Sequence, residues 1–202
     1  MTVIKNQKNL KSAGGSMANF TKKAIKASFL KLLNEQPLGK ISVRDIVEDC
    51  GINRNSFYYH FSDIQALLSE IITEQTEAII QKYPSVNSLE ECFEVAFKLA
   101  KENKKAVIHI YESADRDIFT RSAMKLCENT VTSYINTAFK NEEIKPADKR
   151  ILISFVKCLI FGMCIDWISS GMQDEALDDL QRAIDLCQGV PEHIIERSKI
   201  LG

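Results

Sequence analysis

The chain is poor in the residues that interrupt regular structure, with 8 glycines and 4 prolines in 202 residues. Short strands need frequent turns and long helices do not, so this scarcity argues against a β fold. Six cysteines occur (Cys50, Cys92, Cys127, Cys158, Cys164 and Cys187), none in a C-x-x-C pair and most within apolar runs such as FVKCLIFGMCIDW. With no such pair, their pattern points to buried, reduced thiols packed as small hydrophobes. No secretory leader is recognisable. No unbroken apolar run reaches the roughly 18–20 residues needed to span a bilayer, since residues 151–168 come nearest and contain Lys157 and Asp166. A cytoplasmic protein with no membrane partner is expected. G-x-S-x-G, a phosphate-cradling glycine loop and H-E-x-x-H are also missing, so neither an enzyme nor a cofactor is expected.

The formal net charge of -1 names no partner, but its distribution is uneven. Residues 1–61 hold ten Lys and Arg against four Asp and Glu, and the remainder holds sixteen against twenty-three. A basic front and an acidic back place any polyanion at the front. Residues 1–18 are polar, lack a sustained apolar period and read as a flexible basic arm carrying Lys5, Lys8 and Lys11. From Phe20 the residues Ala24, Ile25, Ala27, Ser28, Leu32 and Leu33 recur at helical spacing, until Pro37 and Gly39 end the pattern. Ser42, with Asp45 three positions on, opens a short helix, VRDIVEDC, which Gly51 breaks. Asn53 can cap the next, RNSFYYHF; Ser62 and Asp63 then precede a long helix that runs to Pro84. Five further amphipathic or buried helical stretches follow, with joints at Lys145-Pro146 and at 171–174. The reading is all-α throughout.

Two short helices about a turn containing glycine form a helix-turn-helix pattern. Ile46, Val47, Ile52, Phe57 and Phe61 fall on the faces that close it, which leaves Arg54, Asn55, Ser56, Tyr58, Tyr59 and His60 pointing elsewhere. Arg and Asn can bond base edges, whereas Ser, Tyr and His serve chiefly as phosphate donors. A Tyr-Tyr-His cluster usually packs in a core, but Phe57 and Phe61 already fill that role here. The group therefore reads as a surface for duplex DNA. A helical module whose helix-turn-helix contacts protein instead is the rival, and it predicts no salt-dependent DNA binding.

The stretch SVRDIVEDCGINRNSFYYHFSDIQALL resembles the DNA-binding domain of the TetR family (TetR/AcrR-type) of bacterial transcriptional regulators. The likeness rests on the I-x-x-x-x-G-I turn, on Tyr58-x-His60-Phe61 and on Leu67-Leu68, and it covers roughly residues 20–72. It implies an N-terminal three-helix DNA-binding bundle, joined by a long helix to a larger helical ligand-binding and dimerisation domain. The corresponding bounds are 1–18 for the arm, 19–83 for the DNA-binding domain with its connecting helix, and 84–202 for the body. It further implies that Ser42 and Arg44 meet phosphates, that Arg54, Asn55 and Tyr59 face bases, and that Ser56, Tyr58 and His60 clamp the backbone. Two positions depart from the pattern. Val47 replaces the usual alanine, and Ile64 replaces a lysine that commonly touches phosphate, a loss that the arm or Lys22 and Lys23 could offset.

From the same resemblance come a homodimer paired through residues 148–170 and 174–188, a palindromic operator, and a small-molecule effector of unknown identity. Repression is the usual mode, and effector-dependent activation is the alternative. The segment FGMCIDWISSGM has a W-I-x-x-G-M texture shared with a subgroup that includes activators of small-metabolite operons. Candidate pocket residues are Phe93, Phe97, His109, Tyr111, Glu112, Phe119, Tyr134 and Trp167. His109 and Glu112 lie at i and i+3, but without a further His or a Cys pair no metal site is expected.

Overall fold

The computed structural model describes residues 3–82, 88, 91, 97 and 100–201, with side chains from residue 19 onward except 176, 177 and 180. The regular elements among them are helical: α1 (Val3–Glu35), α2 (Val43–Cys50), α3 (Arg54–His60), α4 (Ile64–Lys82), α5 (Lys104–Tyr111), α6 (Arg116–Ala138), α7 (Pro146–Ser169), α8 (Asp174–Leu186) and α9 (Val190–Ile200), plus a 3-10 turn at Leu38–Lys40. Contacts divide the chain into two units, Met1–Ile71 and Ile72–Gly202. The division falls inside α4, whereas the sequence reading places it at Pro84. Pro84 can end a helix, but Leu67, Leu68 and Ile71 are buried and belong to the first unit.

In the first unit, helical backbone begins at Val3 rather than Phe20, so residues 3–18, read from sequence as a flexible arm, continue α1. Lys, Gln, Leu and Ala are good helix formers even where no apolar stripe guides them. From Ile25 onward the stripe governs: Ile25, Phe29 and Leu33 are fully buried, joined by Leu38, Ile41, Ile46, Val47, Phe57 and Phe61. Each such side chain contributes about 1.5–3 kcal/mol relative to exposure. Val47, in place of the usual alanine, is accommodated at 6% exposure. Ser28 Oγ donates to the Ile46 carbonyl at 3.2 Å, and Lys31 pairs with Asp49 at 2.5 Å. These two contacts fix α2 against α1.

The second unit is built on α6 and α7. Val131, Tyr134 and Ile135 from α6 share a core with Leu152, Val156, Ile160, Trp167 and Ile168 from α7, and with Ile184 and Ile195 from α8 and α9. α9 lies beyond the last helix expected from the sequence. Its start signals are present (Gly189 with φ 83°, then Pro191 in the first turn), as are Glu192 at one end and Arg197 and Lys199 at the other.

The end of α7 explains the W-I-x-x-G-M texture. Gly171 and Met172 both have positive φ, at 80° and 55°. Met172 N–H reaches back to the Trp167 carbonyl at 2.9 Å, and the Met172 side chain is buried at 2% exposure. This is a Schellman ending, in which the residue after a left-handed glycine packs against the last turn. The Trp167 indole N–H donates to the Gln173 carbonyl at 3.0 Å, and Lys104 Nζ to the Met172 carbonyl at 2.8 Å. Lys101 pairs with Asp174 at 2.7 Å, so α8 is tethered where it starts. Positive φ at a methionine costs on the order of 1–2 kcal/mol, and these bonds hold the corner against it.

By length and composition α7 could cross a membrane, despite Lys157 and Asp166, because two charges do not offset so apolar a window. A core helix meets the same criterion; Leu152, Val156, Ile160, Trp167 and Ile168 give α7 one buried face within this unit, which is 28% of its apolar window. Trp167→Phe keeps one aromatic ring and removes both the donor to Gln173 and the five-membered half of the indole. It is expected to cost at least about 1 kcal/mol, read as a lower urea midpoint by far-ultraviolet circular dichroism with an unchanged m-value.

Candidate nucleic-acid interface

Local chemistry dictates how α2 and α3 begin and end. Ser42 Oγ accepts from Asp45 N–H at 3.3 Å and donates to Asp45 Oδ2 at 2.7 Å, while Ser42 N–H donates to the same oxygen at 2.8 Å. This reciprocal capping box is worth about 1 kcal/mol, and the Ser42 bonds hold the Asp45 carboxyl below its ordinary value. α2 ends at Gly51, with φ 68°, a conformation that a Cβ would penalise. Ile52 N–H then returns to the Val47 carbonyl at 3.0 Å. Asn53 Oδ1 opens α3 by accepting from Ser56 N–H at 2.8 Å and from Ser56 Oγ at 3.1 Å.

α3 is only seven residues long, and one of them sets its orientation. Phe57 has no exposed surface and meets Phe61 at 5.9 Å between ring centroids. With that face inward, Tyr58 and Tyr59 are 50% and 78% exposed. Tyr58 packs edge-on against Phe57 at 5.5 Å, and Tyr59 edge-on against His60 at 5.0 Å. Arg54 and Asn55 are exposed in the first turn. Four side chains of complementary chemistry (Arg54, Asn55, Tyr58 and Tyr59) thus emerge from one short helix, with His60 half-buried beside them.

The other residues singled out from sequence already have local partners. Ser42 is part of the α2 cap, Ser56 part of the α3 cap, and Arg44 Nε donates to Glu48 Oε1 at 2.6 Å. Lys22 is likewise engaged: its ammonium pairs with Glu70 at 2.7 Å and lies 5.4 Å from the Phe61 ring centre. Lys26 meets the same Glu70 oxygen, which ties α1 to the start of α4. Lys23 is exposed. At the α4 start, Asp63 Oδ1 accepts from Ala66 N–H at 2.7 Å, and Ile64, which replaces the family's common lysine, is half-buried. The Glu70 clamp was missed because its members are 44 and 48 positions apart; only the buried face of α1 hinted at it.

In the second unit, Phe97, Tyr134 and Trp167 are buried, with Phe97 and Trp167 edge-on at 4.6 Å, while Tyr111 and Phe119 pack partly buried against the same core. His109 is half-buried and Glu112 exposed. Phe93 lies outside the described residues. Among the described residues no three His, Cys, Asp or Glu side chains gather as metal ligands. Five described thiols are free, and burial pushes Cys127 up to about 11 and Cys164 higher still, so neither is a ready nucleophile at neutral pH.

A head built on a helix-turn-helix, followed by a helical unit with its own core, defines a DNA-binding transcriptional regulator with a C-terminal regulatory domain. Residues 27–71 match the profile of bacterial regulatory proteins of the tetR family, and residues 87–188 match a transcriptional regulator C-terminal region. The chain belongs to the TetR family. Among solved structures, the dihydroxyacetone kinase operon activator DhaS is 20% identical with a TM-score of 0.63, over 82% of this chain and 97% of that one. Salmonella enterica GusR is 16% identical with a TM-score of 0.56, over 89% and 95%. A protein from Rhodococcus sp. described as a TetR-family transcriptional regulator is 21% identical with a TM-score of 0.56, over 82% and 97%. At these identities the likeness establishes the fold. No curated protein gives a significant match.

Three carboxyls of the head are held below their ordinary values: Asp45 by Ser42, Asp49 by Lys31 and Ser28, and Glu70 by Lys22 and Lys26, whose bonds outweigh the upward push of burial. A depressed folded value adds stability above the ordinary value, and that stability is lost as pH falls through the folded one. Melting temperature should therefore drop as pH falls below the ordinary 4.5 of Glu and 3.8 of Asp. Glu70→Gln should lower stability by roughly 1 kcal/mol at neutral pH after solvent screening. Its melting curve should converge on the parent's in acid; a constant gap down to pH 2 would show that the Glu70 charge is not the cause.

Proposed function

We propose that this regulator is a homodimeric, cytoplasmic repressor that binds a palindromic operator through α2 and α3 and releases it when a small molecule enters the second unit. The observation that carries the reading is the α3 surface: Phe57 buried, with Arg54, Asn55, Tyr58 and Tyr59 outward. Arg54, Asn55 and Tyr59 read base edges in the major groove, while Tyr58 and His60 donate to phosphates. Ser42 and Ser56 add phosphate contacts by exchanging their present partners, and Arg44 through its Nη donors or by releasing Glu48.

Dimerisation is supported by α7. Ile151, Phe155 and Leu159 recur along it at 64%, 51% and 41% exposure, with Cys158 exposed beside them. Only 28% of its most apolar window is buried by this chain. A stripe of large hydrophobics at spacing four needs cover, and a second copy supplies an identical stripe about a twofold axis. Paired heads then suit half-sites about one helical turn of DNA apart, or a multiple of it. Tyr111 and Phe119, partly buried at the edge of the core, are the candidate pocket residues best placed to meet an effector. α4 crosses from one unit into the other, so its course is the route by which an occupied pocket shifts the population of DNA-competent heads. The W-I-x-x-G-M texture terminates a helix, and it therefore says nothing about the sign of regulation.

Selection from a random duplex pool should enrich a palindrome. Enrichment of a lone half-site, or of nothing, would count against the dimeric reader. On the enriched site, Tyr58→Phe should weaken binding to all sequences alike, and Arg54→Ala should relax preference at one base pair per half-site at a cost of about 1–3 kcal/mol. In the body, Phe155→Glu should give a monomer by analytical ultracentrifugation with helicity retained. A dimer that survives this change would place the interface elsewhere.

A further inference from the structure

The exposed side of α2 carries a cation that its own helix already holds. Arg44 and Glu48 pair at 2.6 Å, with side chains 76% and 61% exposed, and Glu48 raises Arg44 above its ordinary value by hydrogen bond and charge. The other acids of α2 have structural roles. Asp45 closes the capping box, and Asp49 joins α2 to α1 through Lys31. Glu48 does neither, for it ties one residue of α2 to another four positions away. The pair also does little for the helix. The favourable order places the acid first, and here the base comes first. Arg44 therefore sits in the opening turn, near the positive end of the dipole, and Glu48 nears the negative end. An exposed pair so arranged adds little stability.

We infer that Glu48 is an internal competitor for phosphate at Arg44: a carboxylate that stands where a DNA phosphate oxygen would bond and so lowers duplex affinity without touching DNA. The inference rests on the proposed duplex binding through α2 and α3. Glu48 already occupies the Arg44 Nε donor and offsets part of the guanidinium charge, so a phosphate meets only the remaining Nη donors unless it displaces the carboxylate, and the contact yields less than an unpaired arginine would give. Phosphates carry no sequence information, and the brake acts alike on every sequence. It limits how long the head dwells on non-matching DNA while leaving the ratio between sites unchanged.

The test needs no knowledge of the operator. The full-length parent, Glu48→Gln, Arg44→Ala and the double variant are titrated onto a short random-sequence duplex over a range of salt. Glu48→Gln should tighten binding about two- to fivefold and steepen the dependence of log K on log salt by about 0.9, with thermal stability unchanged. In the Arg44→Ala background both effects should vanish. Equal tightening in both backgrounds would show that Glu48 acts only by general repulsion, and no tightening would show no brake at all; either overturns the inference. A parent chain that binds no duplex would overturn the proposed function as well. Parent binding with additive variants would sink this inference alone.

Discussion

The complete burial of Phe57 is the constraint on which the rest of the head depends. α3 has too few residues to be stable alone, since a seven-residue helix falls well short of the length that persists in water. It exists because one aromatic side chain anchors it in the core of α1 and α2 and because Asn53 caps its first turn. Helical geometry then leaves no choice for the neighbours. With residue 57 inward, residues 58 and 59 are rotated out by about 100° and 200°, and both tyrosines become surface. The outward polar and aromatic surface of the head is thus a by-product of where its core ends. A change at Phe57 would disturb that surface and the stability together.

The same helix-ending device serves two purposes. At Gly51 and again at Gly171, a left-handed glycine lets the following residue's N–H return to the last turn, with Ile52 meeting Val47 and Met172 meeting Trp167. In the head the device turns the chain from α2 into α3. In the body it turns α7 into α8, reinforced by the Trp167 indole and by Lys104 from α5. Met172 adds a second left-handed residue that is not glycine. Such strain persists only where surrounding contacts over-determine it, and the buried methionine side chain with three flanking bonds meets that condition.

How much of this was legible in the sequence depended on the range of the interaction involved. Caps and breaks involve neighbours, so Ser42, Asp45, Gly51 and Asn53 announced α2 and α3 with their ends nearly in place. Apolar period identified Ile25, Leu33 and the Phe57 face for the same reason. α9 was overlooked although Gly189 and Pro191 mark its start, because its apolar residues are few and the period is faint. Partner choice was the part least available. Nothing in local pattern says that Lys22 meets Glu70 rather than DNA, that Ser56 bonds its own cap, or that Arg44 holds Glu48, since each cation or hydroxyl had more than one plausible acceptor. In the body, aromatics at helical spacing signalled both a core and a pocket. The structure buries Phe97, Tyr134 and Trp167, and spacing alone could not rank them against Tyr111 or Phe119.

The two units share an incompleteness that belongs to the proposed mode of action. The head ends in a small polar and aromatic surface. A single short helix contacting a few bases, at roughly 1–3 kcal/mol for each well-read pair, falls short of the discrimination that a genome full of competing sites demands. The body ends in the apolar stripe of Ile151, Phe155 and Leu159, whose cover by a second copy would double the number of heads. In such a dimer, once one head is bound the other would act at a high effective concentration, so the two half-sites would multiply rather than add in affinity. Phosphate contacts add nothing to that discrimination, because they strengthen wrong sites as much as right ones. On the proposed duplex binding, the isoleucine at position 64, Lys22 turned inward to Glu70 and Arg44 held by Glu48 would all lower the sequence-independent share of the affinity. A larger fraction of what remains would then come from contacts that only a correctly spaced pair of sites completes.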